Sequence, residues 1–555
     1  MSSGIKPISQ NPTAPWTYTW ESQSHTPTLR LLIFNSRTNP KLECDGIQVK
    51  LLLQDSSVLV TWVGENEARV SIKIPVPIRV LLDVEAPLSF KAADDHIEVK
   101  LVLVLPVDHP IVLSFDEGEG CDEMQPLAMD SDISTLSSSK AVDFYCRNCS
   151  SKLTSDPISC FVEMPSTDWR ESADNWFGGC CCTFGGVGEK LVTGYANSYS
   201  CAMGKCLVNS TSVVICKDDL LGCLVVGGKS NGKGECDVDG TFDRKRDSLY
   251  EVDLSAGSKH LNGEFGSLSV VDKIITAEKT CDNILCQRPL LNDNVNLTEV
   301  QPRHARKRAA DRLLAEEIHT DCSCVTSEDC SVGEGLNANF TPDQKFLLNG
   351  LLENIFMIRS SHLSKFVEWN EIPCPKCSIL LGAYPSSVGD SGPLDGGIRF
   401  FKCCISTSSQ PNGPSNVFRK YTLERMFTSQ LLECAKDELM FRTLVRDLNS
   451  KAPALQIVML NPNCWSYSSC CSNTSKPVSN IELRPVMKVL FSHSNDFTDS
   501  QMRQMKNWVR KNDADEVHMF AEQIRALIDL LDVGRNALPS SCAYLQGLPL
   551  SYLSR

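Results

Sequence analysis

Short apolar runs, broken at close intervals by turn-forming residues, dominate the first hundred positions of the chain. Segments 29–35, 47–53, 58–63, 69–74 and 97–105 are rich in β-branched and other apolar side chains. Between them stand Asn39-Pro40, Gly64-Glu65-Asn66 and Ala93-Asp94-Asp95, residue types that hold or tolerate the backbone angles of a turn. Arg69-Val70-Ser71-Ile72-Lys73-Ile74 alternates polar and apolar positions, so one face of an extended segment is buried there. Residues 16–115 therefore read as an antiparallel β region.

The pattern then changes. Residues 116–139 open on Asp116-Glu117-Gly118-Glu119-Gly120 and continue Ser-rich, which predicts a surface loop. A short strand is expected at 142–145. A helix start is expected at Ser166 or Thr167, with Glu171 in its first turn. Trp169 and Trp176, seven positions apart, would share a face of that helix and pack. Residues 205–226 look β-like, and Cys201, Cys206, Cys216 and Cys223 in and beside them fit no common metal spacing, so they are expected in the core. The same holds for Cys403-Cys404 and Cys470-Cys471.

From 227 to 339 Gly, Asn, Ser and Asp dominate and apolar periodicity is lost, as in a mostly disordered insertion. It carries one helix-like stretch, 303–317, that begins with the basic run Arg303-His304-Ala305-Arg306-Lys307-Arg308. Such a run suits a nuclear signal or a solvated helix face. Order is expected again at 346–363, with a helix at 421–444 and strands at 456–460 and 484–491. The clearest helical stripe is Val517, Phe520, Ile524, Leu527, Ile528 and Leu531 within 516–531, with Gly534 and Pro539 as its stop.

Composition narrows the function classes. A net charge of −14 argues against direct nucleic-acid binding, which draws on clustered Lys and Arg. No stretch approaches the roughly 18 apolar residues of a membrane span. The 27 cysteines are an odd number and the start Met-Ser-Ser-Gly-Ile-Lys has no apolar leader core, so a reducing compartment is expected, the cytoplasm with the nucleus as a second location.

In that compartment Cys146-Arg147-Asn148-Cys149 and Cys374-Pro375-Lys376-Cys377 are the strongest chemical signal. Two C-x-x-C pairs supply four thiolates, the full ligand set of a tetrahedral structural zinc, and leave no open position for catalysis. Their wide separation means that the metal would staple distant parts of one fold. A glycine shortly after a pair, such as Gly382, suits a turn that brings backbone N–H groups to sulfur. Cys180-Cys181-Cys182 read first as inert cysteines; one or two could ligate a metal, or one could be a transfer nucleophile, a role that needs a thiol pKa lowered by a nearby cation or helix N-terminus, and none is evident locally. No His lies between His109 and His260, and Walker, G-x-G-x-x-G and G-x-S-x-G motifs are absent. Conventional nucleotide-dependent and hydrolytic enzymes are thereby disfavoured.

The order of landmarks resembles a known family. A β region is followed by Cys146-x-x-Cys149, then Pro165-Ser166 with Trp169, Trp176 and Cys180–Cys182. Next come Cys206-Leu207-Val208-Asn209, Cys374-x-x-Cys377 with Leu381-Gly382, the amphipathic helix, and a tail from Leu538-Pro539 to Tyr552-Leu553. Outside 227–339 this is similar to the HECT-like ubiquitin-protein ligases that bind ubiquitin-conjugating enzymes. The resemblance implies a conjugating enzyme, ubiquitin and a protein substrate as partners, and ubiquitin transfer through a ligase thioester. It also implies a link to the mRNA 3′-end-processing endonuclease, and with it a rival role as a non-catalytic adaptor or inhibitor. The expected Trp-Cys-His-like element appears as Trp176-Phe177-Gly178-Gly179-Cys180-Cys181-Cys182, which lacks the His. The expected fold class is α+β, mainly β. An antiparallel N-terminal region is joined to a zinc-stapled mixed region, 140–226 and 340–555, with a C-terminal amphipathic helix.

Overall fold

The computed structural model describes residues 15–64, 67–114, 127, 129–164, 201–222, 355–389, 392–437, 439–471 and 481–555. The expectations for the helix start at Ser166 or Thr167 with Glu171, for Trp169, Trp176, Cys180–Cys182 and Cys223, for the 227–339 insertion and for 346–354 lie outside them. The chain begins with β1 (Thr17–Gln23), β2 (Thr28–Phe34), α1 (Pro40–Glu43), β3 (Asp45–Leu52), β4 (Ser57–Val63) and β5 (Arg69–Pro75). Then come β6 (Ser89–Ala92), β7 (His96–Val102), α2 (Pro110–Leu113), α3 (Met129–Ser138), β8 (Tyr145–Cys146) and β9 (Cys160–Glu163). β10 (Lys205–Val208), β11 (Ser212–Cys216), β12 (Ile358–Arg359), β13 (Val367–Pro373), β14 (Leu380–Ser387), β15 (Gly397–Phe401) and β16 (Ile405–Ser406) follow. The remaining elements begin with α4 (Leu423–Asp437), β17 (Arg442–Asp447), β18 (Pro453–Cys470), β19 (Arg484–His493) and α5 (Asp499–Arg510). The last are β20 (Asp515–Met519), α6 (Ala521–Asn536), β21 (Tyr544–Leu545) and β22 (Leu548–Ser554). The described residues are thus mainly β.

One large sheet runs in the order β12-β20-β17-β18-β1-β2-β7-β6, and β19 joins β18 to β22. The 18-residue β18 organises it. Its first part pairs with β17 and its last part with β1, while β19 covers a stretch that overlaps both. β17 and β1 therefore share one edge of β18, end to end. Glu21 of β1 adds an ionic link, 3.1 Å from the Lys488 ammonium on β19, and accepts a hydrogen bond from the Tyr552 hydroxyl on β22.

The N-terminal β region is real but is split between sheets. β3, β4 and β5 form a three-stranded sheet of their own. Trp20, Leu29, Leu31 and Ile33 from β1 and β2 are buried in one core with Val58, Val60, Trp62, Ile72 and Ile74 from β4 and β5. The alternation read at 69–74 is the cause, since Ile72 and Ile74 are buried while Arg69, Ser71 and Lys73 are exposed. A second sheet runs β13-β14-β15-β11-β10-β9. Its buried residues share the larger core with α4, α6 and the β17–β20 region.

Five expectations need correction. Residues 516–519 belong to strand β20, parallel to β17, and the helix starts only at Ala521. Val517 is buried as a strand residue, because a fully covered parallel strand carries no alternation that would separate it from a helix. Gly534 is not the helix stop but lies inside α6, where a Cβ would come within 2.3 Å of the Ser551 Oγ on β22. The 421–444 helix stops at Asp437, and Leu444 lies on β17. Of the loop expected at 116–139, residues 116–126 and 128 lie outside the described residues, and Met129–Ser138 form helix α3, whose Asp132 is 1% exposed. Cys470, expected in the core, is exposed at the end of β18, whereas Cys206 and Cys216 are buried as expected.

α5 was not anticipated, although its signal is local. The Thr498 hydroxyl accepts from the Gln501 N–H at 3.2 Å, and the Gln501 side chain accepts from the Thr498 N–H at 2.9 Å. That reciprocal cap is spelled in the sequence as Thr-x-x-Gln.

Candidate metal centre

Each C-x-x-C pair forms the tip of a hairpin. β8 leads into Cys146, and the chain returns through Ser151 and Lys152, which bridges back to Tyr145. β13 leads into Cys374, and β14 carries the chain away after a bulge between Ile372 and Pro373. The two tips share one backbone design. In the first, the Cys146 N–H donates to the Ser151 carbonyl and the Ser150 N–H to the Cys146 carbonyl, both at 2.9 Å. In the second, the Cys374 N–H donates to the Ile379 carbonyl and the Ser378 N–H to the Cys374 carbonyl, both at 2.8 Å.

The residue that turns each tip is a serine in the left-handed region, Ser150 at φ 56° and Ser378 at φ 59°. The glycine expectation is thereby corrected. Gly382 sits on β14 between β13 and β15, and a Cβ there would lie 1.8 Å from the Arg399 carbonyl oxygen. Close strand packing, not the turn, requires that glycine.

The tips meet through their sulfurs. Cys146 Sγ lies 3.7 Å from Cys377 Sγ, and Cys149 Sγ lies 3.6 Å from Cys374 Sγ. All four sulfurs fall within 4.8 Å of one another. A disulfide would need about 2 Å, and the four thiols are free. Four thiolates at about 2.3 Å from a tetrahedral zinc stand about 3.8 Å apart, close to the spacing found. The donor set and the spacing therefore fit one metal ion, which Cys146, Cys149, Cys374 and Cys377 would hold.

The surroundings favour thiolate unevenly. Burial pushes the Cys146 thiol up to about 12, against N–H groups of Cys149 and Asn148 that point at its sulfur. Burial opposes ionisation of Cys149 too, but the Ser151 hydroxyl, 3.1 Å away, and the Ser151 N–H bring it down to about 6. Cys374 is likewise lowered, where burial is outweighed by the Ser151 hydroxyl and the N–H groups of Cys377 and Lys376. Ser151 thus serves both pairs, and a bound cation would hold all four sulfurs as thiolates.

Around the first tip, the Arg147 guanidinium donates to the carbonyls of Arg419, at 2.9 Å, and Tyr421. The Arg147 N–H donates to the Cys404 carbonyl at 2.9 Å, and β16 pairs with β8 beside it. Cys403 and Cys404 are partly buried neighbours with sulfurs 3.7 Å apart. Farther in, the Lys402 ammonium, 0% exposed, lies 2.7 Å from Asp132, which Lys420 also faces at 3.0 Å. Tyr421 donates its hydroxyl to the same carboxylate. This buried network fixes α3 to the strand end that supports the first tip. Sequence reading missed it because Asp132 looked like a loop residue.

A β fold whose remote hairpin tips bring four cysteine sulfurs together offers the donor set for one metal ion. The chain belongs to the family of HECT-like ubiquitin-conjugating-enzyme (E2)-binding proteins, whose model matches residues 30–288 and 320–550. That match takes in both tips and Cys180–Cys182, and it enters the 227–339 stretch from both sides. Membership makes a ubiquitin-conjugating enzyme a partner of the chain. No match was found among curated proteins or among solved structures.

Proposed function

We propose that this protein is a ubiquitin-protein ligase that binds a charged ubiquitin-conjugating enzyme and promotes transfer of ubiquitin to substrate proteins. The family match over most of the chain carries the reading. Zinc is the proposed metal, because a closed set of four thiolates in tetrahedral spacing suits it and no open position remains for chemistry. The four clustered sulfurs are then scaffold, and the attacking thiol is proposed among Cys180, Cys181 and Cys182. Its thiolate would attack the conjugating-enzyme thioester and release that enzyme's thiol. A substrate lysine amine would then displace it to form the amide. The proposed locations are the cytoplasm and, through the basic run at Arg303–Arg308, the nucleus.

Incubation of the full chain with charged conjugating enzyme, followed by a non-reducing gel, tests the transfer. The expected result is a ubiquitin adduct that reductant removes and that Cys181→Ser or Cys182→Ser abolishes. Absence of both the adduct and discharge onto lysine would overturn it. Elemental analysis is expected to find about one zinc per chain with no visible absorbance, whereas a coloured protein would point to iron.

The second reading is an adaptor or inhibitor that holds a protein partner, such as the mRNA 3′-end-processing endonuclease, with no chemistry of its own. It is favoured by the lack of a local histidine to activate Cys180–Cys182, since no His lies between His109 and His260. A variant lacking the thiols of Cys180–Cys182 but retaining the metal separates the two. Full partner recovery and full cellular activity would support the adaptor.

A further inference from the structure

A groove of about 1090 Å³ runs between the two larger sheets. One wall is β13, from Val367 to Glu371. The other is the segment after β12 together with the ends of β17 and β20, including Arg446, Glu516 and His518. β13 pairs with β14 on one side only and is an edge strand of its sheet among the described residues. Along a strand edge, N–H and C=O groups without a ladder partner form a ready template for another extended segment.

The charges in the groove are uneven. At the β20 end they are matched within the protein. Arg446 donates to Glu516 and, at 2.9 Å, to the Lys451 carbonyl, and the Ser360 hydroxyl donates to Glu516 at 2.7 Å. Beside them, where Asp447 follows Arg446 on β17, carboxylates gather near Glu371. Partial desolvation, then the neighbouring carboxylates Glu522 and Asp447, push the Glu371 carboxyl up, although the residue is exposed. Asp447 Oδ1 is buried and accepts no hydrogen bond among the described residues. Lys451 is a cation whose charge acts on Asp447, and Lys365 lines the groove at the start of β13.

We propose that this groove binds an extended peptide segment of a partner protein by strand addition to β13, with a basic side chain of that segment seated at Glu371. Backbone pairing would supply most of the affinity. The carboxylates at Glu371, Asp447 and Glu522 would select Lys or Arg over Glu at the facing position. Trp369, on the same strand and already facing the Arg399 guanidinium 5.6 Å from its ring centroid, lines the path. The proposal stands apart from ubiquitin transfer, since it requires neither a charged conjugating enzyme nor a catalytic thiol.

The probe is a fluorescein-labelled peptide of alternating Thr and Val with a central Lys, seven residues long to match β13. Its binding to the full-length chain is followed by fluorescence anisotropy. Replacing the central Lys by Glu is expected to weaken binding about fivefold, the scale of one partly exposed ion pair. Glu371→Lys is expected to invert that preference. Glu371 is exposed, so the variant should melt like the parent, and an unchanged melt makes its reading secure. Amide exchange across 367–372 should slow when the Lys peptide is added. No binding up to about 1 mM would overturn the proposal and leave Glu368 and Glu371 as guards against edge-to-edge pairing. Equal binding of both peptides with unchanged exchange in β13 would overturn it as well.

Discussion

The two hairpin tips follow the same hydrogen-bond plan, yet they stand on unlike foundations. The second grows from β13 and β14, seven and eight residues long, with β15 behind them. The first grows from β8, two residues long, whose partner β16 is equally short. Short ladders close few backbone bonds, so the first tip leans on side chains instead. Arg147 clamps it to the carbonyls at 419 and 421, and the buried Asp132–Lys402–Tyr421 network braces the neighbouring strand end. Identical local geometry can thus be held by a sheet on one side and by a set of polar contacts on the other. The difference locates where a bound metal matters most, at the tip with the weaker ladder.

The largest effect expected is loss of the cluster. Cys146→Ser and Cys374→Ser should each release the metal and cost several kcal/mol, a fall in Tm on the order of 10 °C. Equal melting of both variants and the parent, with the metal retained, would remove the staple from the account. Chelation of the parent sharpens the contrast between the tips. Amide exchange should accelerate strongly over 143–153 and much less over 367–387. A uniform increase would show that the two foundations are equally dependent on the metal.

Arg147→Met is expected to cost about 1–3 kcal/mol, since it leaves the partly buried carbonyls at 419 and 421 without this donor. Lys376→Met, on the exposed part of the second tip, should stay within about 0.5 kcal/mol. Denaturant titration measures both, and comparable losses would contradict the assigned asymmetry. Acid should touch the second foundation. Burial raises the Asp395 carboxyl, but the Arg399 guanidinium, 2.5 Å away, outweighs it and leaves the pKa lowered. A lowered folded-state pKa adds stability above the unfolded value of about 4 and loses it as pH falls through the folded value. Arg399 sits on β15 beside Gly382, so Asp395→Asn should flatten that acid limb by a modest amount. An unchanged limb in the variant would rule the pair out as its source.

Which features were legible in the sequence depends on the range of the forces that set them. The tips were readable because four residues carry the whole pattern, and the strands at 29–35, 58–63 and 69–74 because alternation and turn residues agree locally. The joining of the tips rested on thiol count, since nothing local in Cys146-Arg147-Asn148-Cys149 points to Cys374. Val517 and Phe520 fit a helical stripe, and only β17 lying parallel beside them makes the former a strand residue. Gly382 and Gly534 looked like turn and stop signals, but the Arg399 carbonyl and the Ser551 hydroxyl decide their roles from other elements. Asp132 and Lys402 are 270 positions apart, beyond any sequence window. The Thr498–Gln501 cap is written locally, in the Thr-x-x-Gln spacing itself.

The long strand β18 has a consequence for the order of events on the ribosome. Thr17 of β1 finds its β18 partner at Cys470, so that seam stays open until most of the polypeptide has been made. β1 and β2 can pair early, but the flank of β1 that later receives β18 remains available to any passing strand in the meantime. Productive synthesis of this chain is therefore a race between elongation and mispairing. Cells that slow translation or deplete chaperones should lose this protein to aggregates sooner than a protein whose strands pair with near neighbours.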